Sequence, residues 1–178
     1  MDTIQVKDKT FRISIPESKI QERVKVIANK INQEYAGKNP VFLSVLNGSF
    51  IFSADLLREM NIPCEICFVK LASYQGVNSS GSIRELIGLN VNITDRHVII
   101  VEDIVDTGLT MAHLLDNLKK QNPSSIDLCT LLLKPGKLQV NLDIRYCCFE
   151  IPNDFIVGYG LDYDGYGRNT KDIYTLLQ

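Results

Sequence analysis

The sequence predicts an α/β fold, a mostly parallel, twisted sheet flanked by helices, and three observations carry that prediction. The runs "VFLSVL" (41–46), "HVIIVED" (97–103) and "IDLCTLLLK" (126–134) are apolar almost throughout, as strands buried on both faces are. Segments with helical spacing separate strand from strand. Acids, threonines and a glycine gather after one apolar run, in "VIIVEDIVDTGLT" (98–110), and ligands of parallel sheets bind beyond the carboxyl ends of the strands.

The first helix is predicted within "SIPESKIQERVKVIANKINQEY", where Ile20, Val24, Ile27, Ile31 and Tyr35 form one apolar stripe. Ser14 with Glu17, or Ser18 with Gln21, supplies a capping box, and Gly37 a stop. Strand 41–46 runs through the turn "NGSF" into the helix "FIFSADLLREM", apolar on more than one side and so expected to be sandwiched. "CEICFVKL" is the next strand. The first half of 72–95 is Ser, Gly, Asn and Gln with little to bury, the composition of a lid or a disordered loop. After strand 97–103 comes a helix in "TMAHLLDNLKKQN" that turns Met111, Leu114, Leu115 and Leu118 inward. "IDLCTLLLK", "IRYCCFE" and "FIVGYG" are further strands, and the closing "DIYTLLQ" is expected at a sheet edge.

The chain's 178 residues suit one domain, spanning 1–178, with enough length for a core without staples. Net charge is −2, which favours neither nucleic acid nor an anionic membrane, so phosphate binding has to be local. There is no run of 18 apolar residues and no signal-like start, and five cysteines fit a reduced interior, so the expected location is the cytoplasm. Cys64 and Cys67 spell C-x-x-C, but on a strand they face opposite sides, unlike a redox pair at a helix N-terminus. His97 and His113 have no metal-ligand spacing. "GYGLDYDG" lacks the last glycine and the following helix of a dinucleotide fingerprint.

Within 98–110, Glu102, Asp103 and Asp106 would repel one another unless something positive arrives between them. "DTGLT" leads into a helix whose first amides have no intrahelical partner, and the helix dipole adds roughly half a positive charge. Gly108 admits close backbone approach, and Thr107 and Thr110 offer hydroxyls, which makes a phosphate cradle. The acids suit sugar hydroxyls and Mg²⁺, a hard cation that prefers oxygen. A phosphorylated ribose meets all of these needs. The plainer alternative is an ordinary helix capped by Asp106 or Thr107.

The thirteen-residue string closely resembles the phosphoribosyl pyrophosphate motif of the type I phosphoribosyltransferases. From about residue 10 to the end the chain is similar to the branch acting on hypoxanthine and guanine. The resemblance implies that family's fold, with a small hood built largely from the C-terminal segment (about 136–178) together with N-terminal residues. It implies that Glu102 and Asp103 hold the ribose 2′- and 3′-hydroxyls and water ligands of Mg²⁺. Asp106 would be the acid–base group at purine N7, and Thr107, Gly108, Leu109 and Thr110 would bind the 5′-phosphate.

"VLNGSF" (45–50) resembles the family's pyrophosphate loop, in which the peptide corresponding to Leu46–Asn47 is often cis. Asn47 stands where many relatives carry a basic residue, which leaves Gly48 and the loop amides as the expected contacts. Alone, "NGS" reads as a plain turn. "SYQGVNSSGS" resembles the mobile lid (about 72–83), beginning with Ser73 and Tyr74. Lys134 corresponds to the donor to purine O6. An ammonium has donors and no acceptor, so a 6-oxopurine suits it and adenine does not. In "FEIPNDFIVGYGLDYDGYGRN" (149–169) the resemblance makes Phe155 the ring stacked on the purine and Ile156 a backbone partner of its edge. Asp162 becomes a Mg²⁺ ligand, with Glu102 and Asp103, and Arg168 the grip on pyrophosphate. The implied activity is Mg²⁺-dependent purine salvage giving IMP or GMP, by a homodimer or homotetramer. A transferase for xanthine or uracil, and a nucleic-acid-binding regulator on the same fold, are the alternatives.

Overall fold

A computed structural model of the chain describes residues 3–73 and 83–177. The apolar runs become strands β3 (Val41–Leu46), β4 (Glu65–Ser73), β6 (His97–Val105), β7 (Ser125–Leu133) and β8 (Tyr146–Glu150), all parallel along the sheet. A further strand, β5 (Ile83–Ile87), pairs antiparallel with β4 and closes the order β5-β4-β3-β6-β7-β8. Neighbouring residues on β3 and β6 serve opposite cores, as the two-residue period requires. Phe42, Ile99 and Val101 pack with Ile20, Val24 and Ile31 of α1 (Glu17–Glu34) and with Phe52 and Leu56 of α2 (Phe50–Arg58). Val41, Leu43, Val98 and Ile100 pack with Met111, Leu114 and Leu118 of α3 (Leu109–Lys119) on the other face.

Chain order matters more than the layers. From β3 the chain steps to β4 on one side, whereas β6 lies on the other side. The connections after β3 and β6 therefore diverge and leave a crevice at their carboxyl ends, the usual place for a ligand in such sheets. Beside it stands a four-stranded antiparallel sheet, order β1-β2-β10-β9. The hairpin β1 (Thr3–Val6) and β2 (Lys9–Ile15) supplies half of it, and β9 (Ile156–Val157) and β10 (Ile173–Leu176) the rest. Val6, Phe11, Val157 and Tyr174 form its core.

Several expectations are corrected. The closing strand β10 is interior, between β2 and β9, because the unforeseen hairpin covers its outer side. Neither predicted capping box forms on α1. Its N-cap is Pro16, with no side-chain cap, and the Glu17 amide donates instead to Asp172 Oδ1 at 2.7 Å, a carboxylate from the far end of the chain. Helix α2 meets both α1 and β3, yet its first residue, Phe50, is exposed. Most of the 72–83 segment read as a lid, Tyr74 included, lies outside the described residues. Among the described residues no helix is long and apolar enough to cross a membrane.

Because Asp172 stands in for the missing N-cap of α1, Asp172→Ala should destabilise the protein by about 1 kcal/mol, the usual worth of a lost cap. Urea denaturation of the two proteins measures it, with an unchanged slope and a lowered midpoint expected.

Candidate active site

Strand β6 runs to Val105, and the turn 106–108 leads into α3. The helix cap is neither Asp106 nor Thr107 but Gly108, at φ +81, in the left-handed region where a side chain is strained. A Cβ there would also lie 2.8 Å from Leu142 Cδ1 and 3.0 Å from Val140 Cγ2. The glycine is thus needed for packing against the 138–142 segment as well as for the turn. Thr107 Oγ1 accepts from the Leu109 amide at 3.4 Å. Thr107, Gly108 and Thr110 line a cleft of about 230 Å³ together with Glu102 and Asp106.

A second cleft, of about 250 Å³, adjoins it and is lined by Asp103, Asp106, Lys134, Phe155, Ile156 and Asp162. Asp106 belongs to both. Lys134, which follows β7, is only 6% exposed, and its amide donates to the Val105 carbonyl at 3.0 Å. Its Nζ lies 3.8 Å from Asp106 Oδ2. Burial lowers the lysine's pKa from its ordinary value, against the opposing pull of Asp106. Phe155 is 44% exposed, with Tyr163 edge-on to it at 5.7 Å. Ile156 lies on edge strand β9, opposite Thr175. Leu176 donates to the Phe155 carbonyl, and bonded and unbonded positions alternate in an antiparallel pair. The next position, Ile156, therefore turns its amide and carbonyl away from β10, off the free edge.

The acids divide into two kinds. Asp106 faces Lys134 and, at 3.3 Å, Lys137, a residue the sequence reading did not single out. Glu102 and Asp103 have no lysine or arginine partner among the described residues. Glu102 is only 7% exposed, and burial first, then the neighbouring Asp103 charge, pushes its carboxyl well above the ordinary range. The Asp103 amide donates to Glu102 Oε1 at 3.1 Å, and the Ile104 amide to Asp103 Oδ1 at 2.8 Å.

The turn after β3 reaches this site through Gly48. A Cβ on Gly48 would fall 1.5 Å from Asp103 Oδ2, so only glycine lets the carboxylate lie there. The Leu46–Asn47 peptide is cis. Beneath the turn runs a buried hydroxyl chain. Ser49 donates to the Val45 carbonyl, and Ser44 lies 2.7 Å from Ser49 and 2.6 Å from Ser53. A serine in the middle of an otherwise apolar strand, "VFLSVL", was the signal for it.

Gly160 closes on the same turn, since a Cβ there would lie 2.1 Å from the Gly48 carbonyl oxygen. The loop that follows is held by Arg168, which donates to the Gly160 carbonyl at 2.6 Å and pairs with Asp162 Oδ1 at 2.8 Å. Asp162 Oδ2 accepts from the Gly165 amide at 2.6 Å. Tyr159, at φ +49, donates to Asp55 Oδ2, which also accepts from Gln21, so α1 and α2 anchor the loop from below. Of the expected residues, Ser73 ends β4, and Tyr74 lies outside the described residues. Asn47 opens the turn with an exposed side chain, and Leu109 begins α3 half exposed.

Residues 16–164 match the model of the phosphoribosyl transferase domain. A hypoxanthine-guanine phosphoribosyltransferase of Streptococcus agalactiae is 41% identical over 168 residues, 94% of this chain and 93% of that protein. A hypoxanthine-guanine-xanthine phosphoribosyltransferase of Tritrichomonas foetus is 38% identical over 172 residues, 96% of this chain and 94% of the relative. The crystal structure of a hypoxanthine-guanine phosphoribosyltransferase from Bacillus anthracis superposes with a TM-score of 0.87 at 38% identity, covering 93% of this chain and 96% of the other. A crevice at the strand-order reversal, two clefts sharing one aspartate and matches over nearly the whole length agree, and the chain belongs to the phosphoribosyltransferase family.

Proposed function

We propose that the protein transfers the 5-phosphoribosyl group of phosphoribosyl pyrophosphate to N9 of hypoxanthine or guanine, releasing pyrophosphate and making IMP or GMP. The observation that carries this reading is Asp106. Its carboxylate stands between the cradle at the head of α3 and the cleft beside Lys134. Its Oδ1 is the buried side-chain polar atom left without a hydrogen-bond partner among the described residues. A buried acceptor without a donor is costly, and a turn of the Asp106 carboxylate toward the base cleft would give it a purine N7–H.

In this reading the amides and hydroxyls of Thr107–Thr110 bind the 5′-phosphate, and Glu102 and Asp103 take the ribose hydroxyls. Phe155 stacks on the base, whose edge meets the outward amide and carbonyl of Ile156. The buried Lys134 ammonium donates to O6 and opposes a 6-amino group donor to donor. As the bond from C1′ to pyrophosphate breaks, N9 bonds to C1′ and the N7 proton passes to Asp106. The Gly48 loop amides and Arg168 hold the departing anion, Arg168 turning from its present partners toward it.

Mg²⁺ fits the donor set. Glu102 and Asp103 are adjacent carboxylates with no cationic partner among the described residues, an arrangement a hard cation relieves. Asp162 is a third oxygen donor, although it now serves Arg168 and Gly165. Among the described residues no three metal-binding side chains converge, so Glu102, Asp103 and Asp162 do not form one cluster, and Mg²⁺ would be held by one or two carboxylates with waters and substrate phosphates. When bound, the ion would neutralise charge on the pyrophosphate.

Product assays with hypoxanthine, guanine, xanthine, adenine and uracil test the specificity, and nucleotide from adenine or uracil alone would refute it. Asp106→Asn should lower kcat by about 10²–10⁴, the share of a positioned acid–base group, with donor binding by calorimetry retained. Lys134→Ala should erode the preference for hypoxanthine over adenine more than it weakens donor binding. Gly48→Ala should displace the Asp103 carboxylate and cut kcat/KM on the order of 10²-fold, the scale of a 1 Å misplacement.

A further inference from the structure

Lys137 has no part in the roles above, yet it is the nearest cation to Asp106, with Nζ 3.3 Å from Oδ2 against 3.8 Å for Lys134. Its backbone is fixed. Residues Pro135–Lys137 form a single 3-10 turn, with the Lys137 amide donating to the Lys134 carbonyl at 3.0 Å. The Gln139 amide donates to the Thr107 carbonyl at 3.0 Å, which ties the segment directly to the phosphate turn. Leu138, Val140 and Leu142 then fill the space beside Gly108. The two lysines thus approach one carboxylate oxygen from one short segment, and they differ in what else they can do. Lys134 is buried in the wall of the base cleft, whereas the Lys137 side chain is 40% exposed and lines neither cleft.

We propose that Lys137 is a positioning residue that holds Asp106 by Oδ2 and so sets how the carboxylate is presented to the purine. The inference rests on the reading that Asp106 accepts the purine proton. A carboxylate on a short side chain can rotate and exchange its oxygens. A cation on Oδ2 breaks that symmetry and limits the rotation of the carboxylate. When Lys134 turns its ammonium to the base, Lys137 remains to hold Oδ2. Lys137 touches no reacting atom in this arrangement, and its loss should slow the reaction without weakening donor binding.

The test is a double-mutant cycle on the full-length protein, with phosphoribosyl pyrophosphate, Mg²⁺ and hypoxanthine. Lys137→Met should lower kcat about tenfold, the lower end for a hydrogen bond to a charged group because the lysine is partly exposed. KM for the donor should stay within about twofold, the signature of an interaction not made in binding. Lys137→Arg should recover most of the rate. In the Asp106→Asn background, Lys137→Met should cost nothing further. A kcat equal to wild type, an equal loss in both backgrounds or an effect confined to donor KM would overturn the inference and leave the role of Asp106 standing. Full activity in Asp106→Asn would remove the role of Asp106 and this inference with it. Thermal melts matching wild type exclude a folding defect as the source of the rate loss.

Discussion

Two missing side chains hold this architecture together. At Gly48 the turn after β3 lies against the Asp103 carboxylate, and at Gly160 the loop after β9 lies against the Gly48 carbonyl, with no room for a Cβ at either place. Segments from two different sheets therefore meet here, backbone against backbone at Gly160 and Gly48, and backbone against the Asp103 carboxylate at Gly48. The parallel sheet contributes the turns after β3 and β6, and the antiparallel sheet contributes the third segment. The backbone contact at Gly160 fixes relative position more tightly than side chains with several rotamers could. The Tyr159–Asp55–Gln21 hydrogen bonds reinforce it from the helices below. With the two sheets registered in this way, the cleft at the head of α3 and the cleft beside Phe155 share a wall, and that wall is Asp106.

Charge is arranged around this frame rather than spread over it. A net charge of −2 gives no long-range attraction for a polyanionic donor. In the proposed reaction that attraction is local, from the open amides at the α3 N-terminus and from the Mg²⁺ that Glu102 and Asp103 would hold. The cost of holding these acids together falls chiefly on Glu102, whose burial raises its affinity for a proton. A bound cation would compete with that proton. Lys134 shows the converse, an ammonium that burial disfavours and Asp106 supports. Each charged group is thus poorly satisfied in a way that one piece of the substrate complex, a metal, a diol or a 6-oxo group, can relieve.

Much of this was legible in the sequence, for a local reason. Strands β3, β6 and β7 are buried on both faces and announce themselves as unbroken apolar runs, and the acids and threonines sit in order along one stretch. What stayed hidden depends on partners distant in the chain. The β1–β2 hairpin pairs with the C-terminal strand, so the periodicity of 1–15 said nothing of it, and β10 was placed at an edge it does not occupy. The capping boxes of α1 were plausible from spacing, but the capping carboxylate is Asp172, 155 positions away. Lys137 looked like any loop lysine because nothing in "LLLKPGK" tells that a 3-10 turn brings its ammonium back to Asp106. Ser44 was the opposite case, a local signal that was passed over.

Gly108 has a second reason to be glycine, one that its motif does not show. From the sequence, its glycine served the approach of a phosphate. In the fold, the face where a Cβ would stand belongs to Leu138, Val140 and Leu142. Those residues continue from the turn carrying Lys134 and Lys137, and the Gln139 amide bonds to the Thr107 carbonyl. The turn at 106–108 is therefore backed by the segment that brings Lys134 and Lys137 to Asp106. A side chain at 108 would push these apart and strain the turn at once, since φ is +81 there. In the proposed reaction donor and acceptor occupy different clefts, but the two clefts rest on one support, the packing of three apolar side chains against a glycine.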